Sequence, residues 1–168
     1  MPPETDNLRL QEHYQADQKD REKVYDSKEA ITELHHRDAM RKTLVLEMMG
    51  RGEVNTSNDL YHAAVIFLHA NEPKDFLTAH RLSIIAAVNG HRAARWLVAS
   101  SLDRFLMAVG MPQAYGTQFE FNEEDRKYQL RLPIDDAHLL SFEKKYFNVP
   151  SVVDRLAQLN RRNHAPNS

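Results

Sequence analysis

The stretch "HAAVIFLHANEPKDFLTAHRLSIIAAVNGHRAARWLVA", residues 62–99, decides the fold class. Apolar residues and alanines fill it, and it is broken at "NEP" and again at Gly90. Pro suits the first turn of a helix and Gly suits the residue just past a helix end, so the pattern predicts three successive helices between about 58 and 109. Small residues let helix backbones approach closely, and we expect these helices to cross at Ala63, Ala64, Ala79, Ala86, Ala87, Ala93 and Ala94.

Two charged helices are predicted before this centre. Residues 8–25 carry few apolar side chains, and the segment from Ser27 to Gly52 carries them at a rough helical repeat. Each pattern is typical of a helix with a narrow buried stripe, and together they predict a helical hairpin. The expected buried residues are Leu10, Tyr14 and Val24 in the first helix and Ile31, Leu34, Met40, Leu44 and Met48 in the second.

The period of the pattern changes after Gly110. "TQFEFN" and "KYQLRLPI" alternate apolar and polar residues around "EEDR", which predicts a β-hairpin at about 117–132. Two short helices should follow, at 135–147 and 150–160. The apolar face of the hairpin should pack on the helices through Phe119, Phe121, Tyr128, Leu130 and Leu132.

These elements predict a mainly α fold, a compact bundle of five to seven helices with one small β-hairpin. A chain of 168 residues is long enough to bury a core without disulfides, and we expect a single domain over 1–168. The ends of the chain, 1–6 and 161–168, are expected to be flexible tails.

Composition excludes several classes of chemistry. The chain has no cysteine, so it has no disulfide, thiolate nucleophile or cysteine-ligated metal. Its net charge of -2 gives no reason to expect nucleic acid or an acidic membrane as partner. The first ten residues lack a basic start and an apolar run, and no apolar stretch approaches about 18 residues. We therefore expect a cytoplasmic protein without a signal or a membrane span.

The loop "PQAYGTQ", residues 112–118, carries more hydrogen-bonding side chains than a connector needs. Gly110, Pro112 and Gly116 suffice to end the helix and turn the chain. The other polar side chains either join the hairpin to the helical core or line a polar pocket together with Asp103, Arg104 and His69. These surplus side chains are Gln113, Tyr115, Thr117 and Gln118.

Asp103 and Arg104 admit two interpretations. In the structural one, Asp103 accepts hydrogen bonds from the backbone amides of the loop, and Arg104 pairs with Asp17 of the first helix. In the functional one, Asp103 is a general base or an orienting carboxylate beside His69. The apolar stripe of this helix is expected at Leu102, Phe105, Leu106 and Val109.

The spacing of residues gives little support for a metal site, a nucleophilic serine or a nucleotide-binding loop. His69, His80 and Asp103 could form a His and carboxylate metal set, but no local metal-binding motif supports one, and we predict no metal site. The chain lacks a G-x-S-x-G elbow and a phosphate-binding G-x-x-x-x-G-K-[ST] loop. No cofactor is therefore identified.

The central stretch 62–99 resembles a tetratricopeptide-like repeat of the Sel type, with an Ala-rich helix, a short turn and a helix ending in "AA..GH..A". The resemblance covers about a quarter of the chain. Stable arrays need about three repeats or more, so it implies helix-pair packing better than a peptide-binding array.

A second resemblance covers nearly the whole chain. "ADQKDR" (16–21), His69, "LDRFLMAVGMPQAYGTQF" (102–119) and "LPIDD" (132–136) occur in the order of a bacterial family catalogued only as a domain of unknown function. The chain departs from that pattern at Leu68 and His80, where the family carries Gln. The resemblance leaves the chemistry open, and it implies site residues at Asp17, Gln18, Arg21, His69, Asp103, Arg104, Gln113, Tyr115, Thr117 and Gln118. His80, where the chain departs from the pattern, is a further candidate ligand-binding residue.

We expect one polar cleft where the 91–109 helix meets the loop and the first helix. Its predicted function is binding, with a small polar ligand or a protein as partner. The alternative is a small enzyme with hydrolase-like acid–base chemistry at Asp103 or His69 on a polar or amide-bearing substrate. In either case the following side chains should lie within about one side-chain length of each other: His69, Asp103, Arg104, Gln113, Tyr115 and Gln118.

Overall fold

The computed structural model describes residues 5–163, and within them the chain is mainly helical with one two-stranded antiparallel sheet. The predicted fold class is confirmed at this level, whereas the likeness of the central helix pair to a Sel-type repeat stays a prediction. The elements in chain order are α1 (Leu8–Arg21), α2 (Lys28–Gly50), α3 (Ser57–Leu68), α4 (Pro73–Val88), α5 (Ala94–Ala108), β1 (Phe119–Asn122), β2 (Lys127–Leu130), α6 (Ser141–Tyr146) and α7 (Val152–Asn163).

Local sequence signals set the ends of the central helices. The Thr56 side chain accepts from the amide of Asp59, and the Asp59 carboxylate accepts from the amide of Thr56, which forms a capping box before α3. Pro73 is the first residue of α4. Gly90 (φ +92°) and Gly110 (φ +79°) adopt the left-handed backbone that follows many helices.

The core lies among α3, α4 and α5, which pack as successive neighbours, with α1 and α2 against α3. Of the alanines predicted at the crossings, Ala87 is half-buried and Ala93 is exposed. The others are buried: Ala63, Ala64, Ala79, Ala86 and Ala94. The largest fully buried apolar side chains are those of Leu10, Val45, Met48, Ile66 and Phe67.

The buried faces of α1 and α2 differ from the prediction. Val24 lies beyond the end of α1 and is 84% exposed, and Ile31 and Met40 on α2 are also exposed. Charged residues take the inward positions instead, because the two helices pair carboxylates with guanidiniums across their interface. The buried charged residues are Asp17, Asp20, Asp38 and Arg41.

The predicted stripe of α5 is only partly buried. Val109 lies past the end of the helix and is exposed, and Leu102, Phe105 and Leu106 are half-buried. The buried face is rotated toward the loop, because Asp103 holds the loop against that face. It consists of Ala94, Leu97, Val98, Ala99, Ser100, Ser101 and Asp103.

The hairpin is confirmed, with Phe119 opposite Leu130 and Asn122 opposite Lys127. Its predicted apolar face is half-buried, except that Leu132 lies beyond β2 and is 68% exposed. α7 packs on β2, where the Asn160 side chain exchanges two hydrogen bonds with the backbone of Tyr128.

In residues 5–163 no helix is long and apolar enough to cross a membrane. Most residues of the two predicted flexible tails lie outside the described part of the chain. Of those that are described, Asp6 accepts a hydrogen bond from Asn58, and residues 161–163 belong to α7.

Candidate functional site

Asp103 joins the loop to α5. It is fully buried, and its Oδ1 accepts from the amides of Ala114 and Tyr115 at 2.8 and 2.9 Å. Its Oδ2 accepts from the amide of Thr117 at 2.9 Å and from the Thr117 hydroxyl at 2.7 Å. The predicted hydrogen bonds from the loop amides to Asp103 are confirmed, and both of its oxygens already hold two donors. A catalytic role for Asp103 stays a prediction. We call Asp103 and these partners the brace.

Gln113 and Tyr115 extend the brace rather than line an open pocket. The fully buried Gln113 side chain donates to the carbonyls of Gln118 and Arg131 and accepts from the amide of Gln118. The Tyr115 hydroxyl donates to Glu143 at 3.1 Å. Burial and this hydrogen bond raise the pKa of Tyr115 to about 12, so its hydroxyl stays protonated near neutral pH. Gly116 makes the turn possible, with φ at +74°.

Gln118 and Arg104 connect the brace to the end of α3. The Arg104 Nε donates to Gln118 Oε1 at 3.1 Å, and its Nη1 donates to the carbonyl of Leu68 at 2.9 Å. The Gln118 amide nitrogen donates to Ser100 and to the Thr117 hydroxyl. Since Leu68 precedes His69, the Arg104 guanidinium links Gln118 to the end of α3 beside His69.

The predicted ion pair between Arg104 and Asp17 is wrong. Asp17 pairs with Arg21 and His69, and within residues 5–163 no carboxylate forms an ion pair with Arg104. Burial lowers the pKa of Arg104, and the nearby positive charges of Arg21 and Arg131 lower it further. Arg104 is thus a half-buried cation with two neutral acceptors.

His69 forms a dyad with Asp17. The fully buried Asp17 accepts from His69 Nδ1 at 2.8 Å and from the Gln18 side chain at 2.9 Å through Oδ2, and from Arg21 at 3.2 Å through Oδ1. Burial raises the pKa of Asp17, but the hydrogen bonds and charges of His69, Arg21 and Gln18 outweigh it and hold the pKa below its usual value. An ionised carboxylate accepts hydrogen bonds, so Nδ1 carries the proton and Nε2 is left for other contacts.

A cluster of buried charged residues lies next to the dyad and contacts it through Arg21, which donates to both Asp17 and Asp38. Asp38 accepts from Arg21 at 2.6 Å and from Arg41 at 3.0 Å. Asp20 accepts from Arg41 and, at 2.9 Å, from Arg37. Lys23 also pairs with Asp20, and Glu33 lies 3.9 Å from Arg37. Counting these two and Arg104, five cations face four carboxylates here. One positive charge is left over, and it belongs to Arg104, which none of these carboxylates contacts.

Two clefts meet at Arg104. The dyad cleft, about 260 Å³, is lined by Arg21, His35, Asp38, His69, Asn71 and Arg104. The loop cleft, about 380 Å³, is lined by Phe76, Arg104, Met107, Ala108, Gln118, Phe119 and Arg131. The predicted single cleft is therefore divided, with His69 in one part, Gln118 in the other and Arg104 in both. Neither cleft is lined by the three remaining predicted residues, which belong to the brace: Asp103, Gln113 and Tyr115.

His80 lies apart from both clefts. Its Nδ1 is 3.0 Å from the carbonyl oxygen of Val98 and 3.4 Å from the Ser101 hydroxyl, so it joins α4 to α5. Burial lowers the pKa of His80. His69, His80 and Asp103 each have different partners, and in the described part of the chain no group of three or more His, Asp or Glu side chains is arranged to hold a metal.

Several residues that line the clefts were not predicted from the sequence. Arg131 directly follows β2, and Asp38 and Asn71 lie in segments interpreted as a charged helix face and a turn. The spacings Asp17 to Arg21 and Asp38 to Arg41 were a usable signal, because they place opposite charges on one face of each helix.

Comparison with known proteins gives no assignment. No protein-family model, curated protein or solved structure shows a significant match to the chain. The resemblance to the bacterial family of unknown function therefore stays a prediction.

Proposed function

We propose that the protein is a binding module for a small anionic molecule, with Arg104 as the anchor for its negative group. The observation that carries this proposal is the state of Arg104, a half-buried guanidinium whose two hydrogen-bond partners are neutral. Taking a cation out of water is costly unless an opposite charge compensates it. An anionic ligand at Arg104 supplies that charge.

The surroundings of Arg104 favour an anion over a neutral ligand. Arg21 lies on one side and Arg131 on the other, near enough for both charges to lower the pKa of Arg104. Arg131 is exposed, lines the loop cleft and has no ion-pair partner among the described residues. Its guanidinium is free to turn toward a ligand, and Arg pairs well with the planar or branched oxygens of carboxylates and phosphates.

The loop cleft also suits the remainder of a small organic molecule. Its volume of about 380 Å³ lies within the usual range for small-ligand sites. Phe76, Met107 and Phe119 add apolar surface to a lining that also contains the two guanidiniums. A ligand with one anionic end and a compact apolar body fits this distribution.

The test compares carboxylates and phosphate esters with neutral amides or alcohols of the same shape, by titration calorimetry at low salt. The anions should bind and the neutral analogues should not. Arg131→Gln should weaken binding roughly tenfold, because it removes a charged donor from the cleft without touching the brace. Arg92→Gln is the matched control, since Arg92 is exposed and lines neither cleft.

Two results would contradict the proposal. One is equal binding of charged and neutral analogues. The other is an equal loss of binding in the Arg131 and Arg92 variants. That result would show that Arg131 acts only through the overall surface charge and makes no direct contact with the ligand. Arg104→Gln is informative once circular dichroism shows an intact fold, and it should abolish binding.

The dyad favours a second candidate, an enzyme with His69 as the acid–base group. Nδ1 of His69 is held by Asp17 at 2.8 Å, and the ring lines a cleft that two arginines share, an arrangement suited to proton transfer. Asp103 is less suited to this role because four donors occupy its oxygens. Turnover of an ester or amide that disappears in His69→Asn would favour this candidate.

A further inference from the structure

We infer that the dyad cleft takes a phosphate group and that its binding is coupled to protonation of His69. This inference rests on the proposed function and deepens it, because it names the anionic group and the part of the site that holds it. The loop cleft then receives the rest of the ligand. The arrangement of donors, the balance of charge and the orientation of the His69 ring each support it.

The donors of the dyad cleft come from four separate elements. Arg21 is on α1, His35 is on α2, Arg104 is on α5, and His69 and Asn71 lie in the turn between α3 and α4. A carboxylate presents two oxygens in one plane, whereas a phosphate presents oxygens in tetrahedral directions. Donors that surround a space from several sides match the phosphate better.

One positive charge is unpaired in and behind the cleft while His69 is neutral. A phosphate dianion at that site leaves one negative charge in excess, and one proton on His69 restores neutrality. The proton is suited to Nε2, because Nδ1 already donates to Asp17. The imidazolium then lies between two anions, the phosphate and Asp17, which favours its charged form.

The charged and titratable groups that face His69 come from each helix around it. Asp17 contacts it directly, and Asp38 adds a second carboxylate from α2. Arg21 and Arg104 are the two cations that line the cleft beside His69. The bound phosphate compensates these two cations, so ligand binding and proton uptake favour each other. His35 is the remaining titratable group of the cleft.

The experiment is calorimetric titration of the full chain with inorganic phosphate at pH 8.0 in two buffers of different ionisation enthalpy. The difference between the two apparent enthalpies gives the number of protons taken up per phosphate bound. We expect uptake of roughly one proton, the change that a single histidine can supply. Binding without proton uptake would overturn the coupling.

His69→Asn is the decisive variant, because its side-chain amide can still donate to Asp17 but cannot take up a proton. It should weaken phosphate binding roughly tenfold or more and abolish the uptake. His36→Asn, an exposed change on α2 outside the cleft, is the control and should alter neither quantity. Unchanged phosphate binding in His69→Asn would overturn the inference.

The two proposals fail in different ways. If carboxylates bind with dependence on Arg131 but phosphate does not bind, the inference is wrong and the proposed function stands. If neither carboxylates nor phosphate bind, both are wrong. His35→Asn separates the two histidines, because an uptake that disappears there and persists in His69→Asn would assign the proton to His35 and overturn the role given to His69.

Discussion

Asp103→Asn should destabilise the protein by about 3 kcal/mol, because it breaks the brace at its centre. Each oxygen of Asp103 accepts two donors, so an asparagine of the same size must point its own NH₂ group at N–H or O–H donors on one side. The loop amides on that side then lose their acceptor inside the protein. For a chain of this length the melting temperature should fall by roughly 6–12 °C.

Thermal and urea unfolding of wild type and variant measure this loss, with Thr117→Val as the graded comparison. Valine keeps the shape of threonine and removes one hydroxyl donor to Asp103, so it should cost about 1 kcal/mol. An Asp103→Asn protein as stable as wild type would show that the carboxylate is not a stabilising part of the brace. That result would favour the functional interpretation, in which Asp103 is a general base or an orienting carboxylate.

The loop illustrates what the sequence could predict. Gly110, Pro112 and Gly116 account for the turn, so the hydrogen-bonding capacity of Gln113 and Gln118 was visibly in excess. That excess correctly indicated a buried polar network. It could not say whether the network was open to a ligand, because this depends on how far the hairpin and α6 cover the loop, and both follow it in the chain.

The helix ends were predictable and the charged interface was not. Pro73, Gly90 and Gly110 are local signals, and they ended or began helices within a few residues of the expected positions. The inward face of α1 and α2 is held by pairs such as Asp20 with Arg41, which lie 21 residues apart. A hydropathy pattern assigns both residues to solvent, since each is charged and the partner is not apparent from spacing.

The grouping of residues in the dyad cleft was likewise not predictable from the sequence. His69, Arg21 and Arg104 could be singled out, but their grouping depends on three helices and on the carbonyl of Leu68 that orients Arg104. A pair of Arg104 with Asp17 was expected because a buried cation ordinarily has a carboxylate partner. Instead, Asp17 contacts Arg21 and His69, and this difference leaves Arg104 available for an anionic ligand.

Arg41→Met should destabilise the protein by about 3–4 kcal/mol, because it removes the guanidinium that joins Asp20 to Asp38. Methionine fills much of the same volume, so the loss reports charge more than packing. Asp20 keeps Arg37 and Lys23, and Asp38 keeps Arg21, but two buried carboxylates lose their most buried partner. Arg51→Met is the control, since its ion pairs are exposed and its cost should stay under about 1 kcal/mol.

The pH dependence of this loss identifies its origin. Burial raises the pKa of Asp20, but hydrogen bonds from Arg37, Arg41 and Lys23 outweigh burial and hold the pKa far below its usual value. A carboxyl group with a lowered pKa in the folded state stabilises the protein above its unfolded pKa of about 4, and this contribution is lost as the pH falls through the folded pKa. The difference in unfolding free energy between wild type and Arg41→Met should therefore be constant from about pH 8 to 5 and shrink below about pH 4. Urea unfolding at pH 7 and pH 3 measures it, and an equal difference at both would assign the loss to packing instead of to the buried charges.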